Sequence, residues 1–117
     1  MRRYSTANLT AIWSNVDLTG CQVYVTVAQP SRAVFLTISG DDVSVTDIAP
    51  DGSESTAYLI QVELTQAQTA MFKTGEAEMQ VNAIGPQGHR FTSDITKIPV
   101  TKNLLQNEVE YIEQGEE

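Results

Sequence analysis

The chain has 117 residues, of which 41% are apolar and 19% are charged. This is the size of one domain, and the composition is too hydrophobic for a disordered chain. No apolar run approaches the ~18 residues that span a bilayer, so we expect no membrane partner. Seven basic and fifteen acidic residues give a net charge of −8, the wrong sign for binding nucleic acid through basic side chains.

The cysteine content and the start of the chain bear on where the protein folds. A single cysteine, Cys21, excludes an internal disulfide. Residues 1–6 run directly into polar sequence without the apolar stretch of a secretory signal. We therefore expect synthesis and folding in a cytoplasm.

Apolar and polar residues alternate with a period of two through most of the chain, which predicts β-strands. In the first half, the predicted strands are 4–13, 21–27, 34–38 and 43–48. Turn-forming residues separate them, at Asp17-Leu18-Thr19-Gly20, Pro30-Ser31-Arg32, Gly40-Asp41-Asp42 and Pro50-Asp51-Gly52-Ser53. Strands therefore recur about every ten residues.

In the second half, the predicted strands are 57–64, 76–84 and 89–98. The middle one shows the pattern best, with apolar side chains at odd positions from Ala77 to Ala83 and polar ones between them. Residues 65–72 interrupt the alternation. Because Thr65 can cap a helix, we predict one or two helical turns there.

About seven short antiparallel strands in one domain are typical of an all-β, immunoglobulin-like sandwich of two sheets. A closed barrel stays open as an alternative, because the pattern determines strand faces and not closure. We assign the sandwich to residues 1–102 and an acidic C-terminal tail to residues 103–117.

The tail holds five glutamates and no basic residue, so it contributes −5 of the net charge of −8. Leu105, Val109 and Ile112 have the spacing of an apolar helical stripe, although so short a helix is not stable alone. We predict that these three residues are assembly contacts on a neighbouring subunit. The alternative, in which residues 103–112 lie back over their own sheet, is equally open.

The sheet edges also favour assembly with other subunits. An open sandwich leaves backbone groups unpaired at its edges unless prolines, lysines, bulges or a covering segment guard them. The first strand and the C-terminal segment carry few such guards, which are Arg2, Arg3, Lys97 and Pro99. Self-association or docking on other proteins is therefore expected.

Residues that could carry catalysis are few, and each has a simpler structural interpretation. His89 follows Gly88 in a predicted turn, without a serine elbow or another catalytic motif nearby, so we expect an exposed turn residue. Cys21 lies in the inward register of its strand, where a thiol acts as a small apolar side chain. Glu76 and Glu78 point outward as solvated charges. We therefore expect a protein that is not an enzyme.

No metal or other cofactor is predicted. Aspartates in glycine- and proline-rich turns cap their own backbone, so turn chemistry explains the acidic set better than calcium binding does. That set is Asp41, Asp42, Asp47, Asp51 and Glu54. Trp13 and Phe91 fall in strand patterns, where a large ring fills a core more often than it forms a platform for sugars.

Several short motifs occur in a recognisable order, which is Asp17-Leu18-Thr19-Gly20, then Leu64-Thr65 through Phe72 to Gly75, then Glu78-Met79-Gln80-Val81 and Ser93-Asp94-Ile95. In this order, residues 4–100 resemble the immunoglobulin-like domains of small tail and baseplate proteins from phages of Gram-positive bacteria, such as the N-terminal domain of upper baseplate proteins.

The resemblance implies a virion component, built in the cytoplasm of the bacterial host, that contacts other tail proteins or copies of itself. Members of this family are often longer and carry receptor-binding regions, so the resemblance implies a small accessory or connector subunit here. The alternative function is a carbohydrate- or cell-surface-binding module, since sandwiches host both kinds of function.

Overall fold

The computed structural model describes residues 1–107 and 109. They contain eight β-strands, which are β1 (Ala7–Ser14), β2 (Gln22–Gln29), β3 (Val34–Ser39), β4 (Val43–Asp47), β5 (Ala57–Leu64), β6 (Gly75–Ile84), β7 (Arg90–Thr92) and β8 (Thr96–Val100). One α-helix, α1 (Gln66–Ala70), and two short 3-10 turns at Pro30–Arg32 and Gly40–Asp42 complete the regular structure of these residues. None of the helices described is long and apolar enough to cross a membrane.

The strands form two antiparallel sheets with the apolar core between them. One sheet has the order β1-β5-β4, and the other has the order β3-β2-β6, with β7 and β8 both along the remaining side of β6. No strand pairing in the described part of the chain joins the two sheets. The predicted all-β sandwich is therefore confirmed, and the closed barrel is excluded. In the constant-type immunoglobulin order the second strand joins the sheet of the first and fifth strands, whereas here β2 lies between β3 and β6.

Each strand turns alternate apolar side chains toward the core. In β6, the apolar side chains at odd positions from Ala77 to Ala83 are all buried, as the sequence predicts. In β5, the side chains of Ile60, Val62 and Leu64 are buried in the same way. The remaining buried members of the core cluster are Leu9, Leu18, Val23, Val25, Val27, Ile38, Phe72, Ile98 and Val100.

β7 and β8 form one edge interrupted by a β-bulge, where the sequence predicts a continuous strand. Residues 93–95 lie opposite only two residues of β6. The Ser93 hydroxyl accepts a hydrogen bond from the Val81 N–H at 2.9 Å and replaces a backbone acceptor there. The extra residue reverses the alternation, so Phe91 before the bulge and Ile98 after it lie on the same face of the sheet.

The first three residues pair with the end of β8. The Arg3 N–H donates to the Thr101 carbonyl at 3.0 Å, and the Thr101 N–H donates to the Met1 carbonyl at 2.8 Å. Tyr4 then turns the chain with a positive φ of 59°. For this reason β1 begins at Ala7, three residues after the predicted start.

The predicted helical turn is confirmed as α1, which begins with a capping box. Thr65 Oγ1 accepts from the Gln68 N–H at 3.2 Å, and Gln68 Oε1 accepts from the Thr65 N–H at 2.9 Å. The hydroxyl of Thr69, which is fully buried, donates to the Ser5 carbonyl at 2.8 Å. The bond from Thr69 to Ser5 holds the helix against the N-terminal segment.

Candidate interaction surface

The sandwich ends in four edges, and two of them are guarded. Backbone groups on the free side of an edge strand can pair with another chain unless a bulge, a charge, a proline or a covering segment prevents it. The β7–β8 edge has the bulge, Lys97, Pro99 and the covering residues 1–3. The β4 edge is only five residues long and ends in Asp47. The C-terminal strand is therefore better guarded than the sequence suggests.

The other two edges, β1 and β3, contain neither a charged residue nor a proline. Ile12, on the outer face of β1, is 68% exposed, and Phe35, on the outer face of β3, is 60% exposed. We call β1 and β3 the open edges. The expectation of a poorly guarded first strand agrees with the position of β1 at a sheet edge.

Sequence reasoning missed β3 as an open edge. The alternation of Val34, Leu36 and Ile38 fits a central strand equally well, because strand order depends on pairing between distant parts of the chain. One sequence feature could have indicated the open edge. Residues 33–40 carry no charge, and they lie between the basic Arg32 and the acidic Asp41.

A cleft of about 340 Å³ lies beside β1. Trp13 and Ser14 of β1 and Ser93 and Asp94 of the bulge are among its lining residues. Trp13 is half-buried and packs against the core, so its ring serves both the core and the cleft wall. Phe91 is exposed, because it belongs to a three-residue strand at the sheet edge, and the prediction of a core position for it is wrong.

The described part of the tail lies back against its own chain. The Gln66 side chain of α1 donates to the Val109 carbonyl and accepts from the Val109 N–H, both at 2.7 Å. Residues 103–107 form bends and not a helix. Leu105 and Val109 are exposed, and Ile112 lies outside the described residues. The assembly role of these three residues stays a prediction.

Replacing Gln66 with alanine should release Val109 from α1. Loss of the paired bonds is expected to speed hydrogen exchange of the Val109 amide roughly tenfold, since about 1.4 kcal/mol of local stability corresponds to that factor. NMR-detected exchange measures this rate directly. Gln61→Ala, on the exposed outer face of β5, is the matched control and should leave the rate unchanged. An unchanged rate in Gln66→Ala would show that the bonds do not hold the segment.

The two candidate nucleophilic or basic side chains occupy structural positions. His89 is exposed in the turn between β6 and β7, as predicted, and its carbonyl accepts from the Gly85 N–H at 2.8 Å. Cys21 is half-buried at the rim of the core, with its Sγ 3.8 Å from the Asp17 carbonyl. The thiol is thus less buried than its strand register predicts.

Two aspartates in turns, one of them from the acidic set, accept hydrogen bonds from their own backbone. Asp47 Oδ1 accepts from the Ala49 N–H at 3.0 Å, and Asp17 Oδ1 accepts from the Thr19 N–H at 3.0 Å. The bond from the Thr19 backbone, followed by one from its hydroxyl, holds the pKa of Asp17 below its usual value. Within residues 1–107 and 109, no group of three or more acidic, histidine or cysteine side chains is placed to hold a metal ion.

The outward glutamates are surface charges, as predicted. The Lys97 Nζ lies 3.5 Å from Glu76 Oε1, and both side chains are exposed. An exposed pair of this kind contributes at most about 1 kcal/mol to stability. It guards the β8 edge more than it stabilises the fold.

The fold and its edges define an antiparallel two-sheet β-sandwich with two open edge strands. No protein-family model matches the chain, and no curated protein matches it either. Among solved structures, the chain is similar to AggA, the major subunit of aggregative adherence fimbriae type I from Escherichia coli, with 15% sequence identity and a TM-score of 0.39. The match covers 86% of this chain and 84% of AggA. The strand pairing given above therefore defines the fold.

Proposed function

We propose that this protein is a non-enzymatic structural subunit of a phage or prophage particle, a tail or baseplate accessory or connector that acts by protein–protein contact. The observation that carries the proposal is the pair of open edges, each with a large apolar side chain exposed on an uncharged strand. Monomeric proteins usually guard such strands, whereas assembly proteins use them. The order of motifs that resembles phage tail and baseplate domains is the reason for proposing a phage particle as the assembly.

Open edges suit a subunit that must join others in a fixed orientation. An added strand is held by a row of backbone hydrogen bonds, and side chains of alternating direction determine its register. The chain as a whole carries a net charge of −8, which limits unspecific association before assembly. On this proposal the chain folds in the host cytoplasm and ends in the virion.

Mass spectrometry of purified particles tests this function. Particles induced from the strain that carries the gene are banded by density, and the chain is quantified against the major tail protein. We expect a constant ratio across the particle peak, with an abundant cytoplasmic protein falling to background as the control. Absence of the chain from the peak would contradict the proposal.

The cleft beside β1 favours a carbohydrate- or cell-surface-binding module as the second candidate. An aromatic wall with neighbouring hydroxyl and carboxylate groups, here Trp13 with Ser14 and Asp94, can stack on and hydrogen-bond to a sugar ring. Trp13 is the single tryptophan, so all tryptophan fluorescence of the chain comes from the wall of this cleft. Titration with a panel of bacterial cell-wall glycans should change the emission of the wild-type chain and not that of Asp94→Ala. An unchanged emission across the panel would exclude this candidate.

A further inference from the structure

We propose that β3 pairs with β3 of a second copy of this chain, antiparallel and about a two-fold axis, so that the two larger sheets become one continuous sheet. The inference deepens the proposed function and rests on it, because it names the occupant of one open edge.

The free side of β3 can accept a strand. On its other side, all six residues of Val34–Ser39 pair with β2. No strand in the described part of the chain pairs with the free side. The strand has no charge, proline or glycine, so its unpaired N–H and C=O groups form an uninterrupted row.

The side-chain faces limit how two copies can meet. Phe35 and Thr37 point to the outer face of the sheet, and Val34 and Leu36 point inward and are half-buried. In a continuous sheet outer residues must lie opposite outer residues, so a symmetric antiparallel pair is centred on a residue. Centres at Leu36 and at Thr37 give the longest overlap of the two strands. In both registers Leu36 lies opposite an apolar inner side chain of the other copy, either its own counterpart or Ile38.

Charges at the two ends of β3 complement each other in this orientation. Arg32 lies just before the strand, and Asp41 and Asp42 lie just after it, all exposed. An antiparallel pair brings Arg32 of each copy to the acidic end of the other, and the two-fold axis makes this contact twice. A parallel pair would instead place like charges together. The pattern is therefore complementary to itself only in the antiparallel orientation.

The second open edge lacks this complementarity. Among the described residues that line the cleft beside β1, Asp94 from the bulge is the one charged side chain, so no basic group lies there to oppose it in a second copy. Arg3, near its beginning, donates to the Ala70 carbonyl at 3.1 Å and lies over the Tyr4 ring. For these reasons the proposal assigns the second copy to β3 and not to β1.

Sedimentation of the full chain tests whether the dimer forms. Because a short strand pair is a small interface, we expect the mass to rise from 12.8 kDa toward twice that value between about 10 µM and about 1 mM. A chain that stays monomeric at the highest concentration would overturn the proposal, and would mean that the occupant of this edge is not a second copy.

A pair of lysine variants locates the edge. Phe35→Lys places a charge on the outer face of β3 and should raise the dissociation constant at least about tenfold. Ile12→Lys adds the same charge at an equally exposed position on β1 and should leave the dissociation constant unchanged. Thermal unfolding of both variants verifies that they fold. Weakening by Ile12→Lys alone, or by neither variant, would overturn the assignment to β3.

Charge reversal tests the antiparallel orientation independently of the apolar contact. Arg32→Glu should be monomeric, and so should the double variant Asp41→Arg/Asp42→Arg, because each puts like charges at both ends of the pair. Mixing the two variants restores opposite charges at both ends, so a heterodimer should form at concentrations where neither variant dimerises alone. A mixture that stays monomeric would refute the antiparallel pair.

These outcomes separate the inference from the proposed function. A chain found in particles but monomeric in solution refutes the β3 dimer and leaves the structural role intact. A β3 dimer absent from particles confirms the interface and refutes the phage role.

Discussion

Replacing Phe72 with alanine should lower the free energy of unfolding by about 3–5 kcal/mol, because it removes a large buried ring and leaves a cavity. Phe72 is 0% exposed and is the largest fully buried side chain of the described residues. It follows α1 at one end of the core, where it joins the helix to the sheets. Since a domain is stable by only about 5–15 kcal/mol, this loss is a large fraction of the total. Urea unfolding followed by the fluorescence of Trp13 measures it.

The matched control for this prediction is Phe35→Ala, the same substitution at a position that is 60% exposed. At low concentration, where the chain is monomeric, it should cost about 1 kcal/mol or less. Equal losses in the two variants would mean that Phe72 does not fill the core.

Replacing Gln29 with leucine should lower the free energy of unfolding by about 1–3 kcal/mol, although leucine is the more apolar residue. Gln29 is 3% exposed. Its side chain donates to the Lys73 carbonyl and accepts from the Lys73 N–H, both at 2.7 Å. The substitution leaves the carbonyl and the N–H of Lys73, in the turn before β6, without these hydrogen-bond partners.

Gln61→Leu is the control for Gln29, because Gln61 lies exposed on the outer face of β5. We expect a change of about 0.5 kcal/mol or less from it in the same urea experiment. Hydrogen exchange of the Lys73 amide gives a second measurement and should become faster only in Gln29→Leu. A stabilised Gln29→Leu would show that burial of the apolar side chain outweighs the two hydrogen bonds.

The strand interiors of this protein can be predicted from the sequence, because they are marked by an alternation of apolar and polar residues within short segments. In β6, apolar residues at odd positions from Ala77 to Ala83 could bury together only as a strand, and they do. Thr65 and Gln68, three residues apart, form the capping box that begins α1. Both features depend on residues that are close together in the sequence.

The bulge and the true start of β1 are harder to predict, since both depend on partners elsewhere in the chain. Phe91 and Ile98 are an odd number of residues apart, so a regular strand could not turn both inward. This spacing hints at the bulge, but its place is determined by the hydrogen bonds between Ser93 and β6. β1 begins at Ala7 and not at residue 4, because residues 1–3 pair with the end of β8 and Tyr4 then turns the chain.

The candidate site was only partly predictable. The weakly guarded first strand was expected from its composition, whereas β3 became a candidate only when its place at the end of the larger sheet was known. The tail residues chosen by helical spacing lie in a segment whose described part is held by Gln66. Helical spacing alone carries no information about such a distant side-chain partner.

The alternation of residues is enough to predict that the chain forms short antiparallel strands, which of their faces are apolar, and where the helical turn begins. Steric preference and the alternation of apolar residues involve residues that are close together in the sequence, so these properties can be predicted from short segments. The strand order, the exposure of β3 and the burial of Gln29 against a backbone 44 residues away become visible only in the folded chain. Those features depend on which distant segments pair, and many pairings satisfy the same local alternation.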